Sequence, residues 1–331
     1  MHVEKRLELV HLQITRNCNL RCWFCGQWGK KGFFSDACGS KMTLDDWKKV
    51  IDSLENCCKT KSTYPSVMLW GGEPLTSPYF GDITAYLRQK GFDELGIVTN
   101  GVLIDKWADV LRNDFKKIYI SIDGPKEIHD SIRGNGVFDK VTANAKLLCG
   151  GNAEITVMTV LSPALLPILP GFPKLLEDIR PKQLLLQDMI YLSKEETEQY
   201  GRWFESCFKR PASEIYSWQM DIPPDYDYKK SQALKKVFEE KYSFEIKHMP
   251  HGMSTGNKQC LSPFRHIHVA WNGNVMYCTD FYDFCAGNVK ENDIIDIFNN
   301  ELSEKFREET YNGNCITCNH CSWRNNKEFR L

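Results

Sequence analysis

Three cysteines fall within eight residues, Cys18-Asn-Leu-Arg-Cys22-Trp-Phe-Cys25, directly after the β-type run Leu9–Thr15. Thiolates bind soft metals, and three on one loop can hold three corners of an iron–sulfur cubane, which needs a ligand at each of four irons. No fourth cysteine is close, since Cys38, the nearest, lies beyond the Gly/Lys stretch 29–32. An iron left without a protein ligand can bind a small molecule, as an open zinc position does. Zinc is the alternative, and it wants Cys or His at the fourth corner, where His11 is the nearby histidine. A second group gathers after residue 259. Ile267–Trp271 and Val275–Cys278 flank Asn272-Gly273, a strong two-residue hairpin signal that returns Cys260 and Cys278 to the hairpin's open end. Cys315-Ile-Thr-Cys318-Asn-His-Cys321 supplies three more thiols. Two plus two make a closed four-cysteine site, suited to a 4Fe–4S cluster or to structural zinc.

The first group, Cx3CxΦC with Phe24 at the apolar position, resembles the signature of the radical S-adenosylmethionine (radical SAM) superfamily. Two further motifs follow in that family's order. Gly71-Gly72-Glu73-Pro74, which alone would read as a tight turn, follows the second strand run. Ser121-Ile122-Asp123-Gly124-Pro125 continues through Ile128-His129-Asp130 to Arg133-Gly134 and Phe138. The resemblance implies that Cys18, Cys22 and Cys25 ligate a 4Fe–4S cluster whose open iron chelates S-adenosylmethionine. Reduction then releases methionine and a 5′-deoxyadenosyl radical that takes hydrogen from substrate. By position, Phe24 borders the adenine, Gly71 and Gly72 let backbone approach the methionine ammonium, and Glu73 and Pro74 share that contact region. Ser121 and Asp123 are implied near the ribose or substrate, with a strand-end turn cap as the alternative, and Asn100 of Thr99-Asn100-Gly101 is a weaker cofactor contact.

The C-terminal stretch 260–323 resembles the auxiliary-cluster domains called SPASM and twitch, and Gly287-Asn288-Val289 before a short helix fits them. Full SPASM domains carry more cysteines and two clusters. Here none follows Cys321, which favours one auxiliary 4Fe–4S cluster on Cys260 and Cys278 with two of Cys315, Cys318 and Cys321. The remaining thiol or Cys285 is spare, and a spare thiol beside substrate can donate hydrogen. Asp280, two residues past Cys278, is a candidate active-site base, since related domains place an acid there. The implied electron donor is of flavodoxin or ferredoxin type.

These loops need a scaffold that collects strand ends. Strand-type runs at Leu9–Thr15, Ser66–Trp70, Glu94–Thr99, Lys117–Ile122, Glu154–Leu161 and Gln183–Met189 are mostly rich in Val, Ile and Leu without clean alternation, as expected of strands covered on both faces. Between them lie helices such as Thr43–Lys59, with Thr43 as N-cap and Leu44, Trp47, Val50, Ile51 and Leu54 on one face. Repeated β-α units predict an α/β fold, a partial (β/α)6 TIM-like barrel over residues 1–210. Loops at the carboxyl ends of its strands are where chemistry is built. Residues 211–259, broken by Pro211, Pro223, Pro224 and Pro250, read as a connecting, lid-like segment with one charged helix near Ser231–Lys241. Residues 260–331 are expected to form a small α+β auxiliary-cluster domain with a β-hairpin.

Composition bounds the function. The 331 residues carry 42 Lys+Arg against 43 Asp+Glu, a balance that argues against a binder neutralising nucleic-acid phosphates. No apolar run approaches a membrane span and the N-terminus lacks a signal-peptide core, so a cytoplasmic protein is expected. Fourteen cysteines without an export signal read as metal ligands before disulfides. Cys57, Cys58, Cys149 and Cys207 are expected as buried small hydrophobes. His266 and His268, alternating with Ile267 and Val269, are expected to be solvated or at the core edge. The functional expectation is a radical SAM oxidoreductase acting on a polar small metabolite of sugar, aminocyclitol or nucleotide type. A ribosomal-peptide maturase is the first alternative, with a peptide as partner. Peptide-modifying members commonly carry an extra N-terminal domain, for which a first strand starting before residue 15 leaves no room. A redox-neutral epimerase or decarboxylase, and a non-catalytic iron–sulfur or zinc protein, complete the alternatives.

Overall fold

The computed structural model describes residues 3–29, 32, 41–61, 64–250, 259–278 and 282–321; Cys38 and Asp280 lie outside the described residues. Seven parallel strands run in chain order across one sheet: β1 (Leu9–Thr15), β2 (Ser66–Gly71), β3 (Leu95–Thr99), β4 (Lys117–Ser121), β5 (Glu154–Leu161), β6 (Gln183–Asp188) and β7 (Glu245–Met249). The helices between them are α1 (Leu44–Lys61), α2 (Phe80–Gln89), α3 (Ile104–Asp114), α4 (Lys126–Arg133), α5 (Val137–Lys146), α6 (Lys194–Phe208) and α7 (Tyr226–Glu239). α1 starts where its sequence says. The Thr43 hydroxyl accepts the Asp46 N–H at 3.2 Å, and the Asp46 carboxylate accepts the Thr43 N–H at 2.9 Å, a reciprocal cap. None of the helices among the described residues is long and apolar enough to cross a membrane.

The sheet has two unlike faces. Val10, Leu12 and Ile14 of β1, with Val67, Leu69 and Ile97, bury against Trp47, Ile51 and Leu54 of α1 and Phe80 and Ile83 of α2. Each such side chain contributes roughly 1.5–3 kcal/mol by leaving water. The alternate residues form the other face, where Leu9, Met68 and Tyr119 cluster with Val98 and Met158, and polar His11 and Gln13 are also buried.

Two features depart from the sequence expectation. First, β7 lies in the segment read as connecting, and extends the sheet by pairing with β6 from Gln183↔Glu245 to Gln187↔Met249. It is an edge strand with polar Glu245, Lys247 and His248, so it lacks the apolar run that marked the other six. Second, the C-terminal hairpin is part of the same sheet. β8 (His266–Val269) pairs parallel with β1 from Leu9↔His266 to Leu12↔Val269. β9 (Asn274–Met276) and β10 (Gly287–Asn288) continue antiparallel beyond it. α8 (Ser262–Arg265), α9 (Ile294–Asn299) and α10 (Glu301–Tyr311) complete this region. The pairing corrects the reading of His268, which is 4% exposed with its ring 4.2 Å from that of His11, while His266 lies half-buried at the core edge as expected. Of the four helical cysteines only Cys58 is buried; Cys57 and Cys207 are half-buried and Cys149 is exposed, its thiol donating to the Ile179 carbonyl at 3.3 Å.

Candidate active site

The thiol loop leaves β1 and is locked at once to the ends of β2 and β3. The Gly72 N–H donates to the Thr15 carbonyl at 3.0 Å and the Glu73 N–H to the Asn17 carbonyl at 2.7 Å. A Cβ on Gly71, whose φ is +153°, would stand 2.2 Å from the Thr15 oxygen, and one on Gly72 2.2 Å from the Asn17 oxygen. Both glycines are therefore required by backbone packed on backbone. Pro74 then opens a short 3-10 turn, Pro74–Thr76.

Glu73 is fully buried, and its carboxylate accepts from the Leu75 N–H (3.1 Å), the Thr99 hydroxyl (2.8 Å) and the Asn100 N–H (2.7 Å). Burial pushes its carboxyl up to about 7, against the pull of these donors and of the Arg133 charge. Asn100 in turn reaches the loop, its side-chain amide donating to Asn19 Oδ1 at 2.8 Å and approaching Cys18 Sγ at 3.8 Å.

Of the three thiols Cys22 is buried, and Cys18 and Cys25 are half-buried. Cys18 Sγ accepts the Leu20 N–H and Cys25 Sγ the Trp28 N–H, each at 3.4 Å. Burial pushes the Cys18 thiol up to about 12 and raises Cys22, with mutual repulsion adding to both. Without a cation these thiols stay protonated; as thiolates they fit the positive charge of an iron–sulfur cluster. Phe24 is half-buried, its ring edge on Trp23 at 5.4 Å, and Trp23 itself is exposed.

Ser121 ends β4, half-buried. Asp123, just beyond, is wholly buried: Oδ1 accepts the Val160 N–H at 3.0 Å and Oδ2 pairs with Arg133 Nε at 2.6 Å, while its own N–H donates to His129 Nδ1 at 3.1 Å. The Arg133 guanidinium opposes the burial that raises Cys22, so a half-buried cation, 10% exposed, stands near Cys22 and Cys25. Sequence reasoning had this arginine within a motif and gave it no role; its proximity is visible only once α4 ends at Gly134, with φ +126°.

The second group is also assembled. Cys260, Cys315 and Cys318 are buried and Cys278 and Cys321 half-buried. Cys318 is held protonated by its hydrogen bond to Cys315, by burial, and by the charges of Cys315, Cys260 and Cys278. Burial would raise Cys315 too, yet hydrogen bonds from Cys318 and Thr317 outweigh it. Cys315, Cys260 and Cys278 thus all act on Cys318, whereas the Cys285 thiol donates to the Gly287 carbonyl at 3.3 Å. Among the described residues no three His, Cys, Asp or Glu are drawn together as a cage for one metal ion. A cubane spreads its ligands over four irons and needs no such cage.

An unforeseen strap connects the two groups. The Asp283 carboxylate accepts the N–H groups of Ser213, Glu214 and Ile215 at 2.5, 2.8 and 3.1 Å. The 3-10 turn that follows, Glu214–Trp218, lays the Trp218 ring where a Cβ on Gly26 would be, at 2.5 Å.

The sequence matches the radical SAM superfamily model over residues 12–165 and the SPASM model, an iron–sulfur cluster-binding domain, over residues 260–322. It is similar to an AdoMet-dependent heme synthase from Methanosarcina barkeri, 26% identical over 94% of this chain and 88% of that protein. A cysteine-type anaerobic sulfatase-maturating enzyme from Clostridium novyi is 22% identical over 96% of this chain and 86% of that protein. In fold it resembles Streptococcus suis SuiB bound to S-adenosylmethionine, with a TM-score of 0.68 at 11% identity, covering 96% of this chain and 72% of that one.

Proposed function

The chain belongs to the radical SAM superfamily of enzymes and carries a C-terminal SPASM region, and from that premise we propose that it oxidises an unactivated C–H bond of a polar small metabolite of sugar, aminocyclitol or nucleotide type. The observation that carries this reading is the buried Glu73, which ties the ends of β2 and β3 to a loop holding the three thiols Cys18, Cys22 and Cys25. Cys18, Cys22 and Cys25 would hold a 4Fe–4S cluster with one iron open. Phe24, Gly71, Gly72 and Glu73 with Pro74 would border S-adenosylmethionine, and Asn100 and Ser121 would complete that border. Together, cluster and S-adenosylmethionine would supply the radical chemistry that removes hydrogen from an unactivated carbon.

The protein's part is position and charge. Asp123 fixes Arg133, whose cation offsets the negative thiolates in a buried site. Cys260 and Cys278 with two of Cys315, Cys318 and Cys321 would hold one auxiliary 4Fe–4S cluster, so that the second electron leaving the substrate would have an acceptor. Asp280 would take the accompanying proton.

A second reading, maturation of a peptide or protein, draws on the sulfatase-maturating relative. The name of the heme synthase relative adds a tetrapyrrole to the substrates worth trying. The deciding experiment supplies dithionite and S-adenosylmethionine to anaerobically reconstituted enzyme and measures 5′-deoxyadenosine. Absence of any cleavage by fully loaded protein would sink the catalytic reading.

A further inference from the structure

Residues of β1, β2, β8 and the thiol loop bring a group of polar side chains together on the sheet face away from α1. Gln13 and Gln27 both donate through Nε2 to the Tyr282 hydroxyl, at 3.2 and 3.3 Å. The Trp70 ring lies 6.2 Å from those of Tyr282 and His268, and the His268 ring lies 4.2 Å from that of His11, tilted by 35°. Four atoms in this group are buried and have no hydrogen-bond partner among the described residues: Gln13 Oε1, Gln27 Oε1, Trp70 Nε1 and His268 Nδ1. Buried polar groups nearly always find partners, so four orphans around one phenol ask for a missing one.

We propose that Gln13, Gln27 and Trp70 recognise the substrate, and that the group they take is an uncharged, hydroxyl-bearing ring of the sugar or cyclitol class. Two amide oxygens need donors and one indole N–H needs an acceptor, and a hydroxyl provides both. Interchanging O and N in either glutamine leaves that conclusion intact, because a hydroxyl serves both ends. None of Gln13, Gln27, Trp70 and Tyr282 carries a charge, and burial holds His11 and His268 in the neutral form. A phosphate brought against two amide oxygens would gain no positive charge from these four side chains. The aromatic faces of Trp70 and Tyr282 suit the C–H face of a saturated ring. Position fits the role as well: Gln27 is two residues past Cys25, and Tyr282 is four past Cys278.

The inference rests on the proposed radical chemistry, and one sample separates the two. Reconstituted holoenzyme is titrated anaerobically with myo-inositol, glucose, glucose 6-phosphate and triglycine by calorimetry, and its cleavage of S-adenosylmethionine is measured alongside. Saturable binding of myo-inositol or glucose is expected, at least about ten-fold tighter than glucose 6-phosphate or triglycine. Gln13→Leu and Trp70→Phe should each weaken that binding about ten-fold or more, and in Trp70→Phe, which removes an orphan without breaking a hydrogen bond, the thermal midpoint of ligand-free protein should not fall. Gln27→Leu serves if either variant is insoluble. Tighter binding of the phosphate or the peptide, or no saturable binding of any probe, overturns the assignment. So does a falling midpoint with binding unchanged, which would mark a structural role. Cleavage without binding sinks this inference alone, whereas absent cleavage sinks the reading beneath it.

Discussion

Cys18, Cys22 and Cys25 share one loop, whereas Cys260, Cys278 and the pair Cys315 and Cys318 arrive from three separate segments. The first trio is braced by backbone locked to backbone, through Gly71, Gly72 and the buried Glu73. The second set is braced by a core. Phe284 and Phe306 stack at 4.1 Å, and the wholly buried Arg307 donates to the Pro263 and Phe298 carbonyls at 2.8 and 2.6 Å. Each region thus contains an arginine largely withdrawn from solvent, put to a different use. Arg133 has one carboxylate partner and turns its charge toward thiols, while Arg307 is consumed by carbonyls and by Glu304. A site meant to stay open needs charge to spare; a closed one needs rigidity.

Breaking either thiol set tests this contrast most severely. Replacing Cys18, Cys22 and Cys25 with Ala should abolish cofactor cleavage and remove about four irons. Replacing Cys260 and Cys278 should remove about four others and leave some cleavage, as iron assays and product analysis would show. Cleavage surviving the first change would dissolve the comparison.

Arg133→Leu should strand the buried Asp123 and destabilise the fold by about 3–5 kcal/mol in denaturant titrations. An unchanged midpoint would mean the pair does not hold the first site. The pH profile sharpens the same point. Burial first, and then the Arg133 charge, lower His129 from 6.5 to about 4. A depressed histidine contributes stability that is present above pH 6.5 and lost as pH falls through 4, about 3 kcal/mol in all. His129→Gln should flatten that part of the unfolding profile, and an undiminished slope would assign it to other groups. The smallest effect is reserved for the strap. Gly26→Ala should displace Trp218 at a cost of about 1 kcal/mol, measurable as a lower thermal midpoint.

The sequence made the first six strands legible to within about one residue, because strands covered on both faces are written as apolar runs. β7 was not legible, since an edge strand with alternating polar residues looks like a linker. The three thiols of one loop were visible as spacing. The company of Arg133, and the strap from Asp283 to Trp218, depend on residues distant in the chain and leave no local pattern. His266 and His268 alternate as an exposed strand would, and only the pairing of β8 with β1 turns them inward.

That same pairing bears on how the protein is made. β1 is made before the other strands of this sheet, yet one of its two neighbours is the strand beginning at His266. Until then its amides on that side remain a bare template, open to any passing strand. Contacts so distant in sequence slow folding, and a nascent chain holding a thiol loop beside an unpaired edge is exposed to misassembly throughout translation. Cutting the gene before the last strands would therefore yield not an enzyme lacking an accessory part but one with its first strand left open.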